Sequence, residues 1–255
     1  MKPYYQDRLA IIYHGDCREI TPMFSDQSFD LVWTDPPYGH HNNNGDLISR
    51  REEALGHGKG TSPKSDYRPI LNDGPEANDL VQWGFHEFYR LISSGCCCCC
   101  GGGGGGPEPQ FARWSLWLDA AFHKGFKQMV VWDKGPMGMG WHYRRSYETV
   151  LVAQKGTGKW YGGRTVENII RPNQYGIKKI IPSKKQHPTQ KPVELPAAFI
   201  AWHTQPGDIV LDPFAGSGTT GIAAKCLGRK SILIELDERY CEMAANMLAE
   251  MVPIK

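Results

Sequence analysis

Apolar positions along the chain follow two periods, and segments of the two kinds alternate. Short β-branched or aliphatic runs predict buried strands at 9–13, 29–34, 96–100, 128–132, 148–153, 208–211 and 230–234. Between them lie stretches with helical spacing. Cys17–Met23 is short. Asp79–Ser93 puts Leu80, Trp83, Phe88, Leu91 and Ile92 largely on one side. Phe111–Phe122, Leu195–Thr204, Thr219–Leu227 and Asp237–Met251 complete the helices. Strand–helix–strand units of this kind predict an α/β fold built on a parallel sheet. Ligands of such sheets bind beyond the carboxyl ends of the strands. With 255 residues the chain suffices for one such domain, 1–255.

Two stretches break the pattern. Residues 39–75 are rich in Gly, Asn, Ser, Pro and charge, and are expected to form a mobile loop insertion over whatever lies at Tyr38. Further on, Gly95 is followed by five Cys (96–100), six Gly (101–106) and Pro107. Reduced Cys behaves as a small hydrophobe, so the cysteine run reads as a buried strand and the glycines as a loose turn. Alternate residues of a strand face opposite ways, so the five thiols cannot converge on one metal. The remaining Cys17, Cys226 and Cys241 form no paired C-x-x-C, and no metal is expected. The N-terminus lacks an apolar signal core, and no apolar run reaches the ~20 residues of a membrane span. A cytoplasmic protein without membrane partners is the expectation.

Net charge is only +2, but its distribution is uneven. From Lys155 to Lys191 there are nine Lys or Arg against one acid, Glu167. Within it, 155–186 is a candidate surface for nucleic-acid phosphates and for target recognition. Trp141-His142-Tyr143-Arg144-Arg145 mixes aromatic and basic side chains in a way that suits DNA contact, although its rings could equally be core. His40, His41 and Asn42–Asn44 are read as a polar loop.

Two words at strand ends carry the chemistry. After 208–211 comes Asp212-Pro213-Phe214-Ala215-Gly216-Ser217-Gly218-Thr219-Thr220-Gly221, a G-x-G-x-x-G turn between a strand and a helix. Glu235 ends the next strand, where a carboxylate accepts ribose hydroxyls. An acid at Asp212 is unsuited to a pyrophosphate but suited to a cationic sulfonium that also bears an ammonium group. The other word, Asp35-Pro36-Pro37-Tyr38, ends the strand at 29–34. An exocyclic amine on a nucleobase is a poor nucleophile, because its lone pair is delocalised into the ring. The Asp35 carboxylate and the Pro36 carbonyl supply two acceptors for its N–H groups. The paired prolines hold them in place, and Tyr38 offers a ring for stacking. A base inside a duplex reaches such a pocket only by flipping out.

With these words the chain resembles the DNA amino-methyltransferases, which use S-adenosylmethionine. The cofactor word matches at Phe214, Gly216 and Gly218, and the catalytic word at Asp35, Pro36, Pro37 and Tyr38. A third match is His187-Pro188-Thr189-Gln190-Lys191-Pro192, which in that family lines the methionine end of the cofactor pocket. Gly15-Asp16 resembles its strand-end acid near the adenine ring. The resemblance thus implies cofactor contacts at Asp16, Cys17, Asp35, Thr189, Lys191, Pro192, Asp212, Phe214, Gly216, Ser217, Gly218, Thr219 and Glu235. It also implies a doubly wound, mostly parallel seven-stranded sheet with helices on both faces, the Rossmann-like methyltransferase fold. Catalytic word first, basic segment next and cofactor word last is the order of the β group, whose members often pair as homodimers. Asp before Pro-Pro-Tyr resembles the adenine-N6 branch. Cytosine-N4 methylation by the same mechanism, RNA as substrate, a dinucleotide-dependent oxidoreductase and a non-catalytic DNA-binding module remain alternatives. No nuclease-like constellation accompanies the words, so a fused restriction activity is not expected.

Overall fold

The computed structural model describes residues 1–39, 71–101, 110–135, 146–171 and 192–251. His40, His41, Asn42–Asn44, Trp141–Arg145, Thr189 and Lys191 lie outside the described residues. So do most of the 39–75 insertion, the glycine run after Gly101 and positions 172–186 of the basic segment.

The strands are β1 (Tyr5–Gln6), β2 (Ala10–His14), β3 (Phe29–Thr34), β4 (Ile92–Gly101), β5 (Phe126–Asp133), β6 (Tyr147–Gln154), β7 (Ile169–Ile170), β8 (Ile209–Asp212) and β9 (Lys230–Glu235). They form one sheet in the order β1-β2-β9-β8-β3-β4-β6-β5-β7. Among the described residues the sheet therefore has nine strands rather than the expected seven. Both additional strands are two-residue pieces at the sheet edges, β1 antiparallel to β2 and β7 parallel to β5. Two residues are too few for either period to show in a sequence. The remaining strands are the seven predicted runs. All are parallel except β6, which runs antiparallel to both β4 and β5.

Helices α1 (Cys17–Ile20), α2 (Ala77–Leu91), α3 (Gln110–Ala121), α4 (Glu194–His203), α5 (Thr219–Cys226) and α6 (Glu238–Glu250) cover the sheet. The cysteine strand shows how the faces divide. Cys96, Cys98 and Cys100 pack with Val32 and Leu151 against Phe85, Phe88, Trp114 and Leu118 of α2 and α3. Cys97 and Cys99 pack with Leu31, Trp33 and Val150 against Phe199 and Ile200 of α4. Every one of the five is buried and free, and burial raises each thiol pKa. Strand β4 also begins earlier than the cysteines suggest. The backbone turns extended at Ile92 and pairs it with Phe29, which ends α2 at Leu91.

Candidate active site

Register brings the two words together. Strands β3 and β8 are neighbours, pairing Leu31 with Val210 and Val32 with Leu211, so Asp35 and Asp212 emerge at adjacent tips. Next along, β8 pairs with β9 up to Asp212 and Leu233, and β9 pairs with β2 up to Glu235 and His14. Asp16, Glu235, Asp212 and Asp35 thus lie at or just past the carboxyl ends of four adjacent parallel strands.

Each glycine of the β8–α5 turn has its own physical reason. Gly216 has φ +50°, and a Cβ there would meet nothing within 4 Å, which leaves an open face for a ligand. Gly218 has φ +79°, and its Cβ would lie 2.6 Å from the Ala244 Cβ of α6. At Gly221 a Cβ would come 2.6 Å from Leu233 Cδ1, so this glycine lets α5 pack on β9. Glu235 ties the neighbouring turns together. Its Oε2 accepts from Gly216 N at 2.7 Å and its Oε1 from Asp237 N at 2.8 Å. Its main-chain oxygen accepts from Gly15 N at 2.9 Å. Burial pushes the Glu235 carboxyl up to about 7, against the lowering effect of the two amides. Ser217 and Thr219 are buried in the same turn with their hydroxyls 3.4 Å apart, and Phe214 packs against the α2–α3 side of the core.

Asp212 faces inward rather than toward an open surface. Its Oδ1 accepts from Thr34 Oγ1 at 2.8 Å and from Phe214 N at 3.1 Å, and its Oδ2 from Thr220 Oγ1. The buried carboxylate therefore straps the strand of the catalytic word to the helix of the cofactor word. Burial moves its carboxyl up to about 6. Asp16 caps α1, accepting from Arg18 N at 2.8 Å, and the Arg18 side chain bridges both of its oxygens. Cys17 is buried, and burial next to Asp16 raises its thiol to about 12. Pro192 is exposed, and its carbonyl accepts from Leu195 N at the start of α4.

The catalytic turn is held from several sides. Pro36 and Pro37 are buried. The Tyr38 ring stacks on Trp114 at 5.5 Å and 22°, and its hydroxyl donates to Asp35 Oδ1. Burial and then the Asp35 charge keep that phenol well above its ordinary pKa. A shallow cavity beside Asp35 is walled by Trp33, Trp132, Glu148, Val150 and Leu195. Glu148 is paired with Lys134 at 2.7 Å.

Two residues of this turn's surroundings escape sequence reasoning. Asp73 Oδ1 accepts from Tyr38 N and Gly39 N, each at 2.9 Å. Gly101 closes β4, and a Cβ there would sit 2.4 Å from Asp35 Oδ1 and 3.0 Å from the Tyr38 hydroxyl. Asp73 sits in a turn-like run, Asn72-Asp73-Gly74, and Gly101 in a tract of six glycines; neither setting singles its residue out. The basic segment starts at the opposite end of the sheet. Lys155 Nζ donates to Tyr89 O and Ile92 O at 2.7 and 3.0 Å, and Lys159 N donates to Gly95 O.

The sequence matches the profile of the DNA methylase family over residues 29–246. It is 27% identical to the type II methyltransferase M2.DpnII of Streptococcus pneumoniae, over 97% of this chain and 92% of that one. The M1.HpyAVI–SAM complex superposes with a TM-score of 0.61 at 28% identity, covering 94% of this chain and all of the other. The PvuII cytosine-N4-specific DNA methyltransferase shares the fold, with a TM-score of 0.69 at 20% identity, over 98% and 89% of the two chains. The family match covers both strand-end words and most of the sheet between them, and the chain belongs to the DNA methylase family of N6/N4 methyltransferases.

Proposed function

We propose that the protein transfers a methyl group from S-adenosylmethionine to the exocyclic N6 amine of adenine in DNA, on a base flipped out of the duplex. The observation that carries this reading is the pairing of β3 with β8, reinforced by the Thr34–Asp212 bond, so that the strands leading to Asp35 and to the glycine turn are neighbours. The turn fits the cofactor, because Gly216 has an open face and Glu235 stands at its side. Glu235 would hold the ribose hydroxyls, and Asp16, past the neighbouring strand tip, would meet the adenine end. When bound, the cofactor supplies an electrophilic methyl on a sulfonium.

The chain's own residues then act on the amine. Asp35 accepts one N–H and the Pro36 carbonyl the other, biasing the nitrogen toward tetrahedral geometry. Asp35 also stabilises the positive charge that develops there. Entry of the base exchanges the Tyr38 hydroxyl at Asp35 Oδ1 for an amine N–H. Much of the rate comes from alignment of amine, methyl and sulfur. DNA phosphates are met by the later part of the basic segment, 164–186, since Lys155 and Lys159 are held at the far end of the sheet. Two copies pairing as a homodimer belong to the same reading, to be checked by light scattering. Among the described residues no helix is long and apolar enough to cross a membrane. Family membership leaves the nicotinamide alternative without support.

Tritiated methyl transfer to duplex DNA tests the reaction. Asp35→Ala should lose transfer by at least ~100-fold while still binding S-adenosylhomocysteine. Full activity in that variant defeats the mechanism. Nucleoside analysis of the product identifies the base, and N4-methylcytosine alone would reverse the choice of adenine. Preferential transfer to RNA would overturn DNA as substrate.

A further inference from the structure

We propose that Asp73 is a positioning residue for methyl transfer, a clasp that fixes the catalytic turn through its main chain. The inference rests on the functional reading above. Pro36 and Pro37 have no N–H, so Tyr38 and Gly39 are the first amide donors after Asp35. Both donate to one oxygen of Asp73 at 2.9 Å, across 35 and 34 residues of chain. Gly39 has φ +74°, and successive amides of a turn entering the left-handed region form a concavity suited to an anion.

Asp73 is only 2% exposed. A carboxylate is costly to bury unless hydrogen bonds compensate it, and among its donors here are the last amide of the catalytic word and the one after it. Behind the clasp stands a rigid element. Ala77 N donates to Gly74 O at the entry to α2, and Phe85 of that helix meets Trp114 edge-on at 6.4 Å. Trp114 in turn stacks on Tyr38. Tyr38 is thus gripped at its amide by Asp73, at its ring by Trp114 and at its hydroxyl by Asp35. Asp73 acts by holding the Asp35–Tyr38 turn where the amine must arrive.

The test compares full-length wild type, Asp73→Ala and Asp73→Asn. Asparagine keeps an acceptor oxygen and serves as the conservative rescue. Methyl transfer to unmethylated genomic DNA gives kcat and KM, calorimetry gives the affinity for S-adenosylhomocysteine, and amide exchange is followed at Tyr38, Gly39 and Gly216. A misplacement of about 1 Å at reacting groups costs on the order of 100-fold. Asp73→Ala should therefore lose kcat about 100-fold, with S-adenosylhomocysteine affinity within about threefold of wild type. Asp73→Asn should recover to within about tenfold. Exchange at Tyr38 and Gly39 should quicken at least ~10-fold in the alanine variant, with Gly216 unchanged. A kcat for Asp73→Ala within threefold of wild type, equal losses in both variants, or unaltered exchange overturns the clasp. If wild type methylates no DNA at all, the functional reading fails instead, and the exchange comparison alone decides whether the clasp exists.

Discussion

Replacing Gly101 with alanine adds one methyl group where the Asp35 carboxylate already stands. The new Cβ would stand 2.4 Å from Asp35 Oδ1 and 3.0 Å from the Tyr38 hydroxyl. An ordinary carbon–oxygen contact is ~3.3 Å, so the carboxylate must retreat by roughly 0.9 Å. Both nearest atoms are ends of rotatable side chains, and Gly101 is absent from the left-handed glycines, so the backbone tolerates the change. Stability should therefore fall by no more than about 1 kcal/mol. Activity should fall far more. A displacement of that size at a reacting group costs about 100-fold, or roughly 2.7 kcal/mol of transition-state stabilisation. The assay is steady-state transfer of tritiated methyl groups to DNA, alongside thermal melting and S-adenosylhomocysteine calorimetry. Expected are a kcat near 1% of wild type, a melting temperature within ~3 °C and unchanged cofactor-product affinity. A Gly101→Ala enzyme within fivefold of wild type would refute the placement of Asp35. So would one whose loss tracks unfolding.

Other perturbations probe the cofactor side and the frame. Glu235, with its carboxyl near 7, is mostly neutral at pH 6 and ionised at pH 8. Affinity for S-adenosylhomocysteine should rise about tenfold between those pH values, and Glu235→Gln should abolish the dependence; a wild-type affinity flat with pH removes Glu235 from the ribose site. The same raised pKa means that the folded protein holds a proton the unfolded chain has already lost. Its contribution to stability is complete below about 4.5 and fades as pH climbs to about 7, with Asp212 acting in the same direction up to about 6. Buried His203, pushed down to about 4, works the other way below about 6.5. Denaturant melts of the ligand-free protein at pH 5 and pH 8 should therefore show the higher midpoint at pH 5 in the wild type and a smaller or reversed difference in Glu235→Gln. Gly218→Ala combines a left-handed backbone with a 2.6 Å clash against Ala244, and should cost about 3 kcal/mol, or roughly 10 °C of melting temperature. Lys225→Met breaks a 2.6 Å ion pair with Asp7 but leaves that carboxylate its bonds from Tyr5, Leu9 and Ala10. The loss should be about 2 kcal/mol with methyl transfer per folded molecule unaltered, and a selective loss of transfer would show that the pair does more than hold α5.

The sequence reveals what is local and conceals what is brought together. Strands β3, β8 and β9 each carry an apolar run that leads into Asp35, Asp212 or Glu235, so these acids stand out before any fold is known. Alternation along Cys96–Cys100 likewise follows from the geometry of any buried strand. The inward turn of Asp212 is different. It depends on Thr34 lying across the β3–β8 pair, 178 residues away in the chain. Asp73 and Gly101 are silent for the same reason: each matters through a residue on another element. The edge strands β1 and β7 pass unseen because pairing alone, without a buried face of several residues, defines them.

A run of identical side chains has one further consequence for the centre of this sheet. Sliding a strand by one residue ordinarily exchanges its inner and outer faces, and packing forbids it. Between Cys96 and Cys100 such a slip would swap one thiol for another and go unnoticed. The alignment of β4 must therefore be anchored at its extremities. Ile92 sits opposite Phe29, left-handed Gly95 has Thr157 O only 2.9 Å from where its Cβ would be, and Gly101 alone leaves space for the Asp35 carboxylate. A slip that put Cys100 in the place of Gly101 would drive a side chain into the Asp35 carboxylate. The correct threading of this strand is thus policed in part by the carboxylate at the tip of its neighbour.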